Sequence, residues 1–182
     1  MDTPSGQISG EIHMNLAYST SPGFAHSPDV AVITFEHGDE VLDACDCTPA
    51  SLPGPGLLDQ MAAKNGLKRQ EFVAVGYGLS ERAKNGPSAP QFRDTTFRRV
   101  ATATFRSLDP NWLHLSQNPA TGDGGTCYGD SGGPNFLNVN GTDVIAALTV
   151  TGDAYCRATN VTFRLDTPAA RSFLAGFVTL PS

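Results

Sequence analysis

The pattern of apolar and polar positions along this chain is one of short β-type segments cut by turn residues. Segments rich in Val, Ile, Thr, Phe and Tyr fall at Gln7–Leu16, Asp29–Phe35, Glu71–Tyr77, Phe97–Phe105, Asn111–Leu115, Asn135–Asn138, Asp143–Val150 and Val161–Leu165. β-Branched and aromatic side chains suit a pleated, half-buried surface, so each segment predicts a strand. Clusters such as Gly86-Pro87 and Asn140-Gly141 separate them. Many short strands with this punctuation predict an all-β sandwich or barrel. Two helices are predicted as well. Leu57–Asn65 runs into Gly66, an Asn-Gly pair suited to a left-handed C-cap. Thr167 then Pro168 supplies an N-cap and a proline at the first helical position. That helix reaches about Val178, with Phe173, Leu174, Phe177 and Val178 as its apolar stripe. Leu52-Pro53-Gly54-Pro55-Gly56 reads as a connector between two halves.

Composition narrows the class. At 182 residues and 40% hydrophobic, the chain can bury a core as one domain or two small halves. Net charge is −6 and no basic cluster exceeds Arg98–Arg99, which argues against binding a phosphate backbone. No apolar run approaches the ~18–20 residues that span a bilayer. The first residues, Met1-Asp2-Thr3-Pro4-Ser5, show neither the basic nor the apolar region of a secretory signal.

The informative string is Gly129-Asp130-Ser131-Gly132-Gly133-Pro134. By chance a given six-residue string occurs in roughly one chain in a hundred thousand of this length. A serine between small residues has an uncrowded hydroxyl. The backbone N–H groups of Gly129 and Ser131 can point at one spot, as an oxyanion hole requires. The alternative is a plain Gly/Asp/Ser-rich turn.

With these residues the chain resembles the chymotrypsin/trypsin-like serine endopeptidases. Further segments agree: Asp29-Val30-Ala31-Val32-Ile33 with the strand start that bears the catalytic aspartate, and Gly76-Tyr77-Gly78 with the opening of the second barrel. Asp123-Gly124-Gly125-Thr126-Cys127-Tyr128 is similar to a bacterial secreted branch. The resemblance implies a double six-stranded antiparallel β-barrel with a C-terminal helix, the first barrel being incomplete here. Residues 1–55 would be the remnant of the N-terminal barrel and 56–182 the C-terminal barrel. It implies a protein or peptide substrate, no cofactor and no metal, and an extracellular location for the intact parent. By position, Ser131 would be the nucleophile, Asp29 would orient a histidine base, and Gly129 and Ser131 would bind the oxyanion. Asp130 would receive an N-terminal ammonium where the branch uses a cleavage switch. Gly125 would lie at the base of the specificity pocket, with Gly152 and Asn160 on its walls. Thr149, Val150 and Thr151 would form the edge that pairs with substrate. A neutral Gly125 predicts apolar or aromatic residues before the scissile bond. Cys127 and Cys156 would form a disulfide.

One part of the family's pattern is absent. Its histidine segment lies some 40 or more residues before the aspartate, and only 28 residues precede Asp29. His13 and His26 fall in a variable stretch, and His26 lies three residues from Asp29. His37 and His114 read as surface or structural residues. A serine without a neighbouring base is a poor nucleophile, so near-inactivity on peptides is expected of this chain alone. The explanations are a fragment of a longer protease with an upstream segment missing, a pseudoenzyme that binds peptides or proteins, and an unfamiliar base. Truncation would leave open edges and exposed apolar faces, and hence self-association.

Cys45 and Cys47 are one residue apart and do not suit a mutual disulfide. Each reads as having lost an upstream partner; a metal site with His37 and Asp43 or Asp46 is the alternative, at a spacing that is not a standard zinc pattern. The acidic stretch Glu36–Asp46 reads as a solvated loop. Asn140-Gly141-Thr142 and Asn160-Val161-Thr162 fit the N-glycosylation sequon.

Overall fold

The structure, a computed structural model, describes residues 2–3, 6–7, 9–18, 28–45, 48–82, 91–94 and 96–182. Three small antiparallel ribbons form: β1 (Asp2–Thr3) with β2 (Gly6–Gln7), β3 (Glu11–Met14) with β4 (Ala31–Thr34), and β6 (Ser80–Arg82) with β7 (Gln91–Arg93). The remaining strands are β5 (Glu71–Gly76), β8 (Arg99–Leu108), β9 (Trp112–Ser116), β10 (Pro134–Val139), β11 (Thr142–Gly152) and β12 (Thr159–Arg164). They close into one six-stranded antiparallel barrel in the order β10-β11-β12-β9-β8-β5. Closure leaves no long free edge, which is how a sheet of this size avoids pairing with another chain.

Local chemistry sets the register. Val139 pairs with Thr142 across a two-residue loop, Asn140 (φ 53°) and Gly141 (φ 88°). Positive φ at both positions is the mirror-image turn whose twist matches a right-twisted hairpin, and Asn-Gly is the pair that best tolerates it. Alternate residues then face inward. Phe72, Ala103, Leu113, Leu115, Leu137 and Ala147 fill the barrel, and α2 (Leu57–Ala63) covers one end with Leu58. After α2, Asn65 takes the left-handed conformation (φ 55°) and the Gly66 N–H bonds the Met61 carbonyl at 2.8 Å. The left-handed residue is thus the asparagine of the predicted Asn-Gly cap.

A second cluster lies on the outer wall. Trp112, Phe163 and Leu165 pack against Ala170 and Leu174 of α3 (Pro168–Leu174) and against Val30. The Thr167 hydroxyl accepts the Ala170 N–H at 3.3 Å with Pro168 in the first turn, the predicted start of this helix. Val30 and Val32 hold the β3–β4 ribbon on this wall, while Ile12, Met14 and Ile33 are exposed. The described residues before 55 close no second barrel. The acidic stretch expected as a loop is instead helix α1 (Gly38–Cys45) over most of its length. Asp39 and Glu40 sit in its first turn, where they complement the helix dipole. Cys47 and Asp46 lie outside the described residues, as does His26.

One buried cation ties the pieces together. The Arg164 guanidinium donates to both carboxylate oxygens of Asp166 (2.9 Å each) and both of Asp59 (3.1 and 2.7 Å). Nη1 also donates to the Asp109 carbonyl at 2.9 Å. Asp166 Oδ2 in turn accepts the Leu58 N–H at 2.8 Å, a free donor at the start of α2. Burial works against the Arg164 charge, but its bonds to Asp166 and Asp59 outweigh that and hold its pKa above the ordinary value. Removing one partner of a buried ion pair strands the other, which typically costs about 3–5 kcal/mol. Arg164→Ala, which strands the fully buried Asp166, should therefore lower unfolding stability by about that amount in urea titrations. A loss below about 1 kcal/mol would show that the clasp does not hold α2 to the barrel.

Candidate active site

Ser131 sits on the loop between β9 and β10, exposed, at one end of the barrel. It borders a cavity of about 270 Å³ whose other walls are Thr126–Tyr128, Thr149–Asp153 and Cys156. Cys127 and Cys156 are joined by the predicted disulfide, with their Cα atoms 5.3 Å apart. Tyr128 crosses the rim, its hydroxyl donating to the Ala154 carbonyl at 3.2 Å.

The nucleophile loop is organised by Asp130. One oxygen of its carboxylate accepts the Gly78 N–H (2.8 Å), the other the Cys127 N–H (2.9 Å). A Cβ on Gly76 or Gly78 would fall 2.1 or 2.4 Å from this carboxylate, so the Gly76-Tyr77-Gly78 turn is glycine-bounded because Asp130 packs against it. The main chain of the loop is pinned as well. Asp130 N–H bonds the Cys127 carbonyl (3.0 Å), Gly132 N–H the Thr149 carbonyl (2.8 Å), Gly133 N–H the Asp130 carbonyl (2.9 Å) and Thr149 N–H the Gly133 carbonyl (2.9 Å). Among the described residues, three donors of the loop have no acceptor: the N–H groups of Tyr128, Gly129 and Ser131. Gly129 holds φ at 96°, a conformation open to glycine and strained for other residues. Two unpaired donors beside an exposed hydroxyl are what stabilisation of an oxyanion needs.

The edge residues fall beside this loop. Thr149, Thr151 and Gly152 pair with Thr162, Val161 and Asn160 of β12. On the other side, the ladder to β10 ends at Leu148 opposite Pro134. Among the described residues, Val150–Gly152 thus have a strand on one side only. Beneath them, Asn160 Nδ2 donates to Asn135 Oδ1 (3.1 Å) and Asn135 Nδ2 to the Thr149 hydroxyl (2.9 Å). Asn160 is fully buried in the barrel and does not line the cavity at Ser131. Its sequon is closed to a glycan in the folded state, whereas Asn140 is exposed. Gly125 lines a different cavity, of about 250 Å³, on the far side of Thr126.

The charge-bearing candidates divide. Asp29 is half-buried next to Val30, and burial raises its pKa; it has no hydrogen-bond partner among the described residues. His13 shares a hydrogen bond with the Thr34 hydroxyl (2.8 Å) and lies 4.9 Å from the Phe177 ring. His114 is bound to Asp109 (2.9 Å), and His37 is exposed before α1. None of these three bonds Ser131. No group of described residues could hold a metal ion, and no described helix is long and apolar enough to cross a membrane.

Two residues escape a motif-based reading. Asp153 accepts backbone N–H bonds from Tyr155 (3.2 Å), Arg157 (3.1 Å), Ala158 (2.7 Å) and Thr159 (2.9 Å). Gln117, buried just beyond β9, bonds both Thr126 and Asp153. Its signal was present: it continues the inward phase of Leu113 and Leu115 with a polar side chain. No family model and no curated protein matches the chain.

Burial raises the Asp153 pKa, but the donors from Thr159, Arg157, Ala158 and Gln117 outweigh it and bring the value from 3.8 to about 2. A carboxyl depressed on folding stabilises the fold fully above its unfolded pKa and loses that contribution as pH falls through the folded one. The stability advantage over Asp153→Asn should be constant above pH 4 and shrink toward pH 2 in thermal unfolding scans. An advantage independent of pH across that window would contradict this role.

Proposed function

We propose that the protein is a serine-type endopeptidase, cleaving peptide bonds through an acyl-enzyme on Ser131. The observation that carries the reading is that Gly129 and Ser131, on either side of Asp130, keep their N–H groups unpaired in a loop where Cys127, Asp130, Gly132 and Gly133 all donate. Substrate backbone would pair with Val150–Gly152 and place a carbonyl against Ser131. The hydroxyl attacks that carbonyl carbon, the carbonyl oxygen takes up the charge at the two N–H groups, and the amine leaves with a proton from the base. Asp29, half-buried and without a partner among the described residues, suits the carboxylate that orients a histidine. That histidine comes from outside the described residues, on an upstream segment completing a first barrel or at His26. The disulfide and the Asn140 sequon fit a secreted, trypsin-like protein.

A second reading has its own observation. His13, His37 and His114 do not bond Ser131, which fits a peptide-binding module that keeps the pocket without catalysis.

Acylation by p-nitrophenyl acetate separates the two. Oxyanion stabilisation and binding without a complete triad still give about 10³–10⁴-fold over water. A Ser131-dependent burst of nitrophenol, with the acyl group mapped to Ser131 by mass spectrometry and lost in Ser131→Ala, is expected. Equal rates in the two proteins would leave the binding module as the function.

A further inference from the structure

The nucleophile loop rests on Thr149. The Thr149 carbonyl accepts the Gly132 N–H at 2.8 Å, and the Thr149 N–H donates to the Gly133 carbonyl at 2.9 Å. Side chains make a third contact. Asn135, on β10 just after the loop, donates from Nδ2 to the Thr149 hydroxyl at 2.9 Å, and its Oδ1 accepts from Asn160 Nδ2 at 3.1 Å. All three residues of this relay are buried. Thr149 sits where regular pairing runs out. The ladder to β10 ends one residue earlier, at Leu148 opposite Pro134, and the pairing with β12 slips between Thr149 and Thr151. The relay bridges that slip, because Asn160 is the partner of Gly152 beyond it.

Stability does not account for the relay. Asn160 Oδ1 is a buried acceptor with no partner among the described residues, and a group of that kind costs stability. Apolar side chains of similar shape at both asparagines would be close to neutral or stabilising. What the amides add is direction, since a hydrogen bond fixes where the Thr149 hydroxyl points and an apolar contact does not. We infer that Asn135 and Asn160 are positioning residues for the nucleophile loop, acting through Thr149. They hold Thr149 in the orientation that receives Gly132 and Gly133, the two residues after Ser131, and so keep the Ser131 hydroxyl and N–H in register for attack. Their role in catalysis rests on the hydrolase reading, whereas their hold on the loop does not.

The test is a double variant, Asn135→Leu with Asn160→Leu, in the full chain. Its urea midpoint should equal or exceed that of wild type. Its rate of Ser131 acylation by p-nitrophenyl acetate should still fall about tenfold, because the oxyanion donors are no longer held in place. The Gly132 and Thr149 amide protons should exchange with solvent about tenfold faster, while the Gly66 amide, bonded to the Met61 carbonyl, stays within about twofold. If the double variant does not unfold cooperatively, Thr149→Val is read against the same criteria, and Thr149→Ser, which keeps the hydroxyl, should restore the wild-type values. An acylation rate within about twofold of wild type, or unchanged exchange at Gly132 and Thr149, would overturn the positioning role. So would a rate that falls only in step with the urea midpoint and with exchange at Gly66, since any loss of structure does that. Amide exchange needs no catalysis. If wild type takes up no acetyl group while the two amides still loosen in the variant, the hydrolase reading fails and the relay stands. If wild type is acylated and the variant matches it, only the relay fails.

Discussion

Backbone donors need partners, and the loops at the Ser131 end of the barrel have no ladder to supply them. Two carboxylates and one amide take that place. Asp130 accepts from Gly78 and Cys127, Asp153 from the four residues Tyr155, Arg157, Ala158 and Thr159, and Gln117 from Thr126. Asp130 joins its loop to Gly78, 52 residues away, while the Asp153 bonds close their own loop within six residues, so the loops are fixed without regular structure. This pairing is what gives the unpaired groups of Gly129 and Ser131 their meaning. In a floppy loop an unpaired N–H is unremarkable. In a loop where Asp130 and Gly133 donate internally and Gly132 donates to Thr149 of β11, free donors on Gly129 and Ser131 are an arrangement.

The barrel carries that arrangement by separating two kinds of interior. Around Phe72, Leu113, Leu115 and Leu137 it is apolar and capped by α2, whose attachment depends on Arg164 and Asp166. Toward Ser131 it turns polar, and Asn160, Asn135 and Thr149 link β12, β10 and β11 by hydrogen bonds under the site. Polar groups in that position need partners to be tolerated, and here they cross-link the strands that bear the nucleophile loop and the open edge. Asp29 precedes β4, next to Val30, which packs on the outer wall. Its half-buried carboxyl has no hydrogen-bond partner among the described residues.

Much of this was legible in the sequence, for physical reasons that differ by element. The barrel strands follow from runs of β-branched and aromatic residues, and the β10–β11 hairpin from Asn140-Gly141. The start of α3 follows from Thr167-Pro168, and the disulfide from the family resemblance of Cys127 and Cys156. Helix α1 was not legible, because an acidic, mostly exposed segment carries little hydrophobic signal and its Asp39 and Glu40 act through the dipole instead. Placement of Gly125 and Asn160 around the pocket was expected from the family resemblance, by counting from Ser131 and Cys156. The structure sets Gly125 behind Thr126 and Asn160 inside the barrel, since side-chain direction depends on strand phase and on the bulge between Thr149 and Thr151. Gln117 and Asp153 belong to no motif. Their importance arises from contacts between loops, which only the folded chain brings together.

The measurement that tests the account most directly is a crystal structure of the protein with Ser131 carrying a diisopropylphosphoryl group. The account places the phosphoryl oxygen within hydrogen-bond reach, about 2.7–3.1 Å, of both the Gly129 and Ser131 N–H groups, with the loop bonds of Asp130 intact. A phosphoryl oxygen turned to solvent, or failure of Ser131 to take up the group at all, would contradict it.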